Sequence, residues 1–263
     1  MNLDLTGKNA FIGGSSRGIG KAIAIELAKL GAEVTLVARS ENQLRDGIKD
    51  LDTSKGQKHD FLVADFSKPE KLKSRVDEFL KEAGKSIHIL VNNTGGPPGG
   101  PITDANLSEF DQAYSNHLIC NQLLAQAFFP GMKEAGYGRI INVISTSVRQ
   151  PLKGLGVSNT VRGAVANWAK TWSFEVGQYG ITVNNVLPGA TATERLSSII
   201  ENKAKKTGQP EAEVEKAMKA QIPAGRFADP SEVAAAAAFL ASPAASYING
   251  INIPVDGGRL TTY

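Results

Sequence analysis

The chain has 263 residues, 41% hydrophobic and 21% charged, which is enough to bury a sizeable core and ordinary for one α/β domain. Its 29 basic and 26 acidic side chains leave a net charge of +3 with no run of five or six like charges, so nothing points to nucleic acid. No apolar run approaches the length of a membrane span, and Met1–Lys8 carries neither a basic n-region nor an apolar h-region. The expectation is a soluble cytoplasmic protein with no membrane or nucleic-acid partner.

In chain order, short apolar runs fall at Ala10–Gly13, Val34–Ala38, Phe61–Ala64, Ile87–Asn92, Arg139–Ile144, Thr182–Leu187 and Ile251–Val255. Most are apolar throughout rather than alternating, as parallel strands buried on both faces should be. Between the first two, Ile19, Ile23, Leu27 and Leu30 form one helical stripe that stops at Gly31. Repeated βα alternation predicts a single-domain, Rossmann-type, doubly wound parallel sheet of about seven strands with right-handed crossovers.

The lone cysteine, Cys120, lies in an apolar run and reads as a small buried hydrophobe suited to a reducing compartment. One polar, helical insertion, Thr191–Gly225, is broken at Gly208-Gln209-Pro210. It follows a strand's carboxyl end, where open α/β sheets bind ligands, and so is expected to be a substrate lid.

The first strand runs into Gly13-Gly14-Ser15-Ser16-Arg17-Gly18-Ile19-Gly20. Glycines permit the sharp turn, and the helix that opens there offers free N–H groups and positive partial charge to a phosphate. The spacing of Gly14, Gly18 and Gly20 resembles the short-chain dehydrogenase/reductase family, and within it the 3-oxoacyl-carrier-protein reductases. Asn92-Asn93-Thr94-Gly95 is similar to that family's Asn-Asn-Ala-Gly, with threonine for alanine. Pro188-Gly189 followed by Thr191 and Thr193, then Gly225-Arg226-Phe227, Phe239–Ser242 and Val255–Gly258, extend the resemblance over nearly the whole chain.

The resemblance implies a dinucleotide held by Gly14, Ser16, Arg17, Gly18, Ile19 and Gly20, by Arg39, Asp65 and Phe66, and by Asn93 and Gly95. Arg162, Pro188, Gly189, Thr191 and Thr193 complete the set. An acid at the end of the second strand would bind a ribose 2′-hydroxyl and repel a 2′-phosphate. The sequence there is Ala38-Arg39-Ser40, and Arg39 and Arg17 can pair a phosphate, so NADP(H) is expected over NAD(H).

The family's chemistry uses an asparagine, a serine, and a tyrosine four residues before a lysine. Asn116 matches the asparagine and Ser145 the serine. Aligning Gly163-Ala164-Val165 and Ala169-Lys170-Thr171 without gaps puts Ser158 at the tyrosine position and Arg162 at the lysine position. A serine hydroxyl is a far weaker acid than a phenol and ends roughly 4 Å short of it, so Ser158 cannot inherit the proton transfer unchanged. Arg162 keeps the positive charge and can hold ribose hydroxyls.

His117, an acidic group on the substrate, or a water chain from Asn116 through Ser145 are the open alternatives for the proton, and Arg149 is a candidate to bind an acidic substrate or stabilise an oxyanion. Two readings follow. One is an NADP(H)-dependent oxidoreductase on a carbonyl/alcohol pair with small-molecule substrates; the other is a catalytically silent NADP(H)-binding sensor or assembly protein. The resemblance also implies a homotetramer or dimer through the helices carrying Asn116 and Arg162, with Arg259–Tyr263 as a possible addition. No metal ligand set is apparent.

Overall fold

The computed structural model describes residues 1–262; Tyr263, part of the expected C-terminal contribution to assembly, lies outside them. The strands are β1 (Asn9–Gly13), β2 (Glu33–Ala38), β3 (Asp60–Val63), β4 (Ile89–Asn92), β5 (Gly138–Val143), β6 (Ile181–Pro188) and β7 (Asn252–Val255). Each expected strand is present, with ends moved by one or two residues. They form one parallel sheet in the order β3-β2-β1-β4-β5-β6-β7.

The helices are α1 (Gly18–Lys29), α2 (Glu41–Ile48), α3 (Pro69–Ala83), α4 (Leu107–Tyr114), α5 (Cys120–Glu134), α6 (Gly156–Val176), α7 (Glu194–Thr207), α8 (Glu211–Lys219) and α9 (Pro230–Ala241). Alternate strand residues feed two cores. Ile12, Ile89, Val91 and Val186 pack with Ile23 and Leu27 of α1 and Val233 and Leu240 of α9. Phe11, Leu90, Ile140 and Val183 face the other way, against Val76 and Phe79 of α3 and Leu124 and Phe128 of α5. The buried stripe of α1 is the one expected, and Gly31 ends it at φ 104°, a backbone angle only glycine adopts freely.

Strand order reverses between β1 and β4, and ligand crevices of open α/β sheets form at the carboxyl ends beside such a reversal. Asparagines hold that end of the sheet in register. Asn92, Asn142, Asn185 and Asn252 sit opposite one another on β4, β5, β6 and β7. Asn92 Nδ2 donates to Asn142 Oδ1 at 2.8 Å, Asn142 Nδ2 to Asn185 Oδ1 at 2.9 Å, and Asn185 Nδ2 to Asn252 Oδ1 at 2.8 Å. A one-residue slip of any strand would turn its asparagine to the opposite face and strand its buried neighbours.

The insertion after β6 is α7 and α8, broken at Gly208, whose φ of 69° ends α7. Leu196, Ile200 and Ala204 of α7 pack on Val214 of α8 as a small core of their own. No helix among the described residues is long and apolar enough to cross a membrane.

Candidate active site

At the carboxyl end of β1 the glycines are required chiefly by their neighbours. A Cβ on Gly14 would lie 2.4 Å from the Asn93 carbonyl oxygen, and one on Gly20 would lie 2.4 Å from the Gly14 oxygen and 2.6 Å from Asn93 Nδ2. Gly14 and Gly18 both have φ 58°. Asn93 Nδ2 donates to the Gly13 and Gly14 carbonyls at 3.1 and 3.2 Å, so the loop after β4 is tied to the glycine turn. Ser15 is fully buried and links the turn to β2, accepting from the Val37 amide and donating to the Ile12 carbonyl. Ser16 is half-buried on the turn, and Ile19 packs on the α1 core.

The N-terminus of α1 lies open to an anion. Its N-cap, Arg17, makes no side-chain cap, and no acid occupies the first turn. Most helices fill those orphan donors with Ser, Thr, Asp or Asn. The residues therefore fit a dinucleotide pyrophosphate. Thr193 lies against Gly18, where a Cβ would be 3.4 Å from its methyl, and caps α7 by accepting from the Leu196 amide. Thr191 donates to the Gly189 carbonyl and Pro188 closes β6; of the four residues of that loop, Thr193 is the one that touches the glycine turn. Gly189 is a packing glycine: a Cβ there would meet the Asp256 Cα at 2.7 Å.

At the end of β2, Arg39 is exposed and forms no ion pair among the described residues; with Asp65 it lines a cleft of about 570 Å³. Partial burial pushes the Asp65 carboxyl up, but the Ser67 amide and the Arg39 charge outweigh it and hold it below the usual range. Arg17, expected at the same phosphate, instead pairs with Glu194 at the head of α7. The Phe66 carbonyl accepts from Cys120 Sγ at 3.2 Å, and its ring fills the space beside Gly13. Cys120 is fully buried and its thiol is pushed up to about 12 by burial, an inert packing residue.

Between α4 and α5 the helix widens to one π-turn over Ser115–Ile119, which carries Asn116 and His117. Such bulges often accompany functional sites, because they turn a side chain the regular helix would aim elsewhere. The Asn116 amide lies 2.7 Å from that of Gln112 and, with its nitrogen turned to Phe66, donates to that carbonyl at 3.0 Å. His117 Nδ1 lies 2.7 Å from the Thr94 hydroxyl, while its buried Nε2 has no partner. Burial first, then the charges of Arg162 and Arg195, drive its pKa down to about 3, so the ring is neutral.

Ser145 follows β5 and accepts from the Ser147 amide at 3.1 Å. Arg149, four residues later, is exposed at the close of that short 3₁₀ segment. Ser158 and Arg162 lie one turn apart on α6 and are only 7% and 8% exposed. Arg162 Nη1 donates to the Val143 carbonyl at 3.2 Å, so it reaches the carboxyl end of β5. Burial, with Arg195 beside it, lowers its pKa to about 10, which still leaves it charged.

Sequence reasoning did not single out Arg195. It projects from α7 and donates to the Gly96 and Pro97 carbonyls at 3.0 and 3.3 Å, bridging the insertion to the loop after β4. Its position two residues beyond Thr193, inside the expected lid, was the available signal. No cluster of metal-ligating side chains occurs among the described residues.

A family model described as enoyl-(acyl carrier protein) reductase matches residues 14–259. The chain belongs to the short-chain dehydrogenase/reductase family. It is 35% identical over 257 residues to the 3-oxoacyl-[acyl-carrier-protein] reductase FabG of Vibrio cholerae, covering 97% of this chain and 98% of that protein. It is 33% identical to the 7alpha-hydroxysteroid dehydrogenase of Escherichia coli K12, over 98% of this chain and 96% of that one. Among solved structures, the L-sorbose reductase of Gluconobacter frateurii complexed with NADPH and L-sorbose superposes at TM-score 0.92, with 32% identity and full coverage of both chains. This short-chain dehydrogenase/reductase thus has the expected fold and ancestry.

Proposed function

We propose that the chain is an NADP(H)-dependent oxidoreductase that interconverts a carbonyl and an alcohol. The observation that carries this reading is the uncapped, acid-free N-terminus of α1 opening from an intact glycine cradle. Arg39, without an acid at the end of β2, favours the 2′-phosphate form of the dinucleotide. Relatives named as NADPH-dependent reductases, and neighbours described as holding NADPH or NADP, support the same choice.

Bound NADPH supplies a hydride. The chain's own residues would orient the acceptor: Ser145 offers a hydroxyl just past β5, Asn116 an amide on the π-turn, and Arg162 a cation on α6 that reaches the end of β5. Ser158 stands where the family's tyrosine would be, and its aliphatic hydroxyl supplies little acidity. The site is therefore atypical. Its proton comes from another hydrogen-bonding group, and Arg162 stabilises charge developing on the substrate oxygen. The chain acts as one domain with residues 191–225 as its lid, and as a cytoplasmic homo-oligomer.

The test is NADPH oxidation against a panel of aldehydes, ketones and 3-oxoacyl compounds, with native protein beside Ser158→Tyr/Arg162→Lys and Ser145→Ala. Native turnover lost in Ser145→Ala is the expected result. A silent native protein whose double variant turns over would overturn the atypical site, and no dinucleotide binding at all would overturn the whole reading.

A further inference from the structure

The cleft contains two guanidinium groups that no carboxylate among the described residues pairs. Arg162 comes up from α6 and Arg195 comes down from α7, and both converge on Gly96. The position a Cβ of Gly96 would take lies 2.8 Å from Arg195 Nη2 and 3.2 Å from Arg162 Nη2. Only because residue 96 has no side chain can the two heads occupy that space. Neither arginine forms an ion pair among the described residues, although the same structure pairs twelve other cations with carboxylates.

Arg162 is nearly fully buried, and it donates to a neutral carbonyl, that of Val143. Arg195 is exposed as a residue, yet its head is desolvated enough to lower its pKa. Holding two like charges side by side, one of them nearly fully buried, is unfavourable unless an anion joins them. Each retains N–H donors beyond those given to Val143, Gly96 and Pro97, because a guanidinium has five.

His117 lies near enough to feel both charges; its ring is kept neutral, and its buried Nε2 is unpartnered. A neutral imidazole offers one further hydrogen bond without adding a charge that would repel the cations. The arrangement is a carboxylate receptor with a polar floor, at the carboxyl ends of β4 and β5. The open N-terminus of α1, by contrast, belongs to the dinucleotide phosphates.

We infer that the substrate of this oxidoreductase carries a carboxylate, which bridges Arg162 and Arg195 and so fastens α7 to α6 beside the loop after β4. Planar carboxylates match the forked donors of arginine, and two forks from opposite walls fix the acid's orientation and so the position of its carbonyl. The inference rests on the oxidoreductase reading, and its test separates the two.

The measurement compares kcat/KM for a series of 2-, 3-, 4- and 5-oxo acids with their primary amides, in native protein and in Arg195→Gln. NADPH and oxo-acid binding to both proteins are measured separately by calorimetry. Expected is a preference of roughly 10²-fold for at least one acid over its amide, collapsing in Arg195→Gln while NADPH affinity is kept. Equal rates for every acid and amide would overturn the carboxylate and leave the oxidoreductase standing. So would a matching loss of NADPH affinity in Arg195→Gln, since the pair would then hold the dinucleotide. If nothing turns over, the oxidoreductase reading fails alone, and calorimetry decides. Oxo-acid binding to the NADP⁺ complex that disappears in Arg195→Gln supports the receptor, and no binding overturns it.

Discussion

Thr94 and His117 meet across the floor of the cleft, hydroxyl to ring Nδ1 at 2.7 Å. Each stands out in the sequence, the threonine because the family motif has alanine there and the histidine because it directly follows Asn116. Together they are one device: a β-branched hydroxyl on the loop after β4 that fixes the ring of a residue on the π-turn.

That pair predicts an acid-sensitive fold. The His117 pKa is lowered from 6.5 to about 3, so the folded ring stays neutral while the unfolded one takes up a proton below pH 6.5. The stabilising difference is whole above that value and is lost as pH falls from 6.5 toward 3, at up to about 1.4 kcal/mol per pH unit. Urea unfolding of native protein and His117→Gln between pH 7 and pH 4 checks it. The native curve should fall more steeply, and parallel curves would show that the ring does not carry the effect.

The glycine turn predicts a sharp contrast among its members. Gly14→Ala and Gly20→Ala place a methyl 2.4 Å from a carbonyl oxygen, and Gly14 also needs a positive φ. Each should cost about 1–3 kcal/mol in chemical unfolding, even without dinucleotide. Gly95→Ala meets nothing within 4 Å and should leave the apo-protein's unfolding midpoint unchanged while weakening NADPH binding.

Arg162 predicts an inverse relation between stability and use. Because it is buried beside a second cation with no acid, Arg162→Met should stabilise the apo-protein by about 1–2 kcal/mol after the loss of its bond to Val143. Activity should fall in the same variant. Thermal melts without ligand give the first quantity, and a lower melting temperature in Arg162→Met would contradict it.

Arg17 and Glu194 predict a competition for the 2′-phosphate. In the structure Arg17 is spent on the carboxylate at the head of α7, and both side chains are largely exposed, so the pair adds little to stability. Glu194→Gln should release Arg17 and tighten NADPH several-fold relative to NADH, with no change in melting temperature. Fluorescence titration of both dinucleotides reads the ratio.

The sheet was legible because its strands are apolar on both faces and bounded by turn residues, and the α1 stripe was legible because Ile23 and Leu27 repeat at one helical turn. The break in the insertion after β6 was legible from Gly208 and Pro210, which together forbid one continuous helix. The Arg162–Arg195 pair was not. Its members are 33 positions apart in chain order on separate elements, and their proximity is set by how α7 returns over the loop after β4. Nor does local sequence disclose that Arg17 turns to Glu194, since both residues are exposed and the contact spans 177 positions.

The asparagines of β4 to β7 all donate in one direction, so their amide dipoles run head to tail across the sheet, and the seam has a polarity. Its unfilled end is a single atom, Asn92 Oδ1, buried without a partner. A directional chain confines its unsatisfied valence to its terminus, whatever its length, and each link polarises the next. Cutting it in the middle creates two new open ends, whereas trimming it at β7 creates one. Asn142→Ala should therefore unfold the protein at markedly lower urea than Asn252→Ala, although each removes a single amide from the same row.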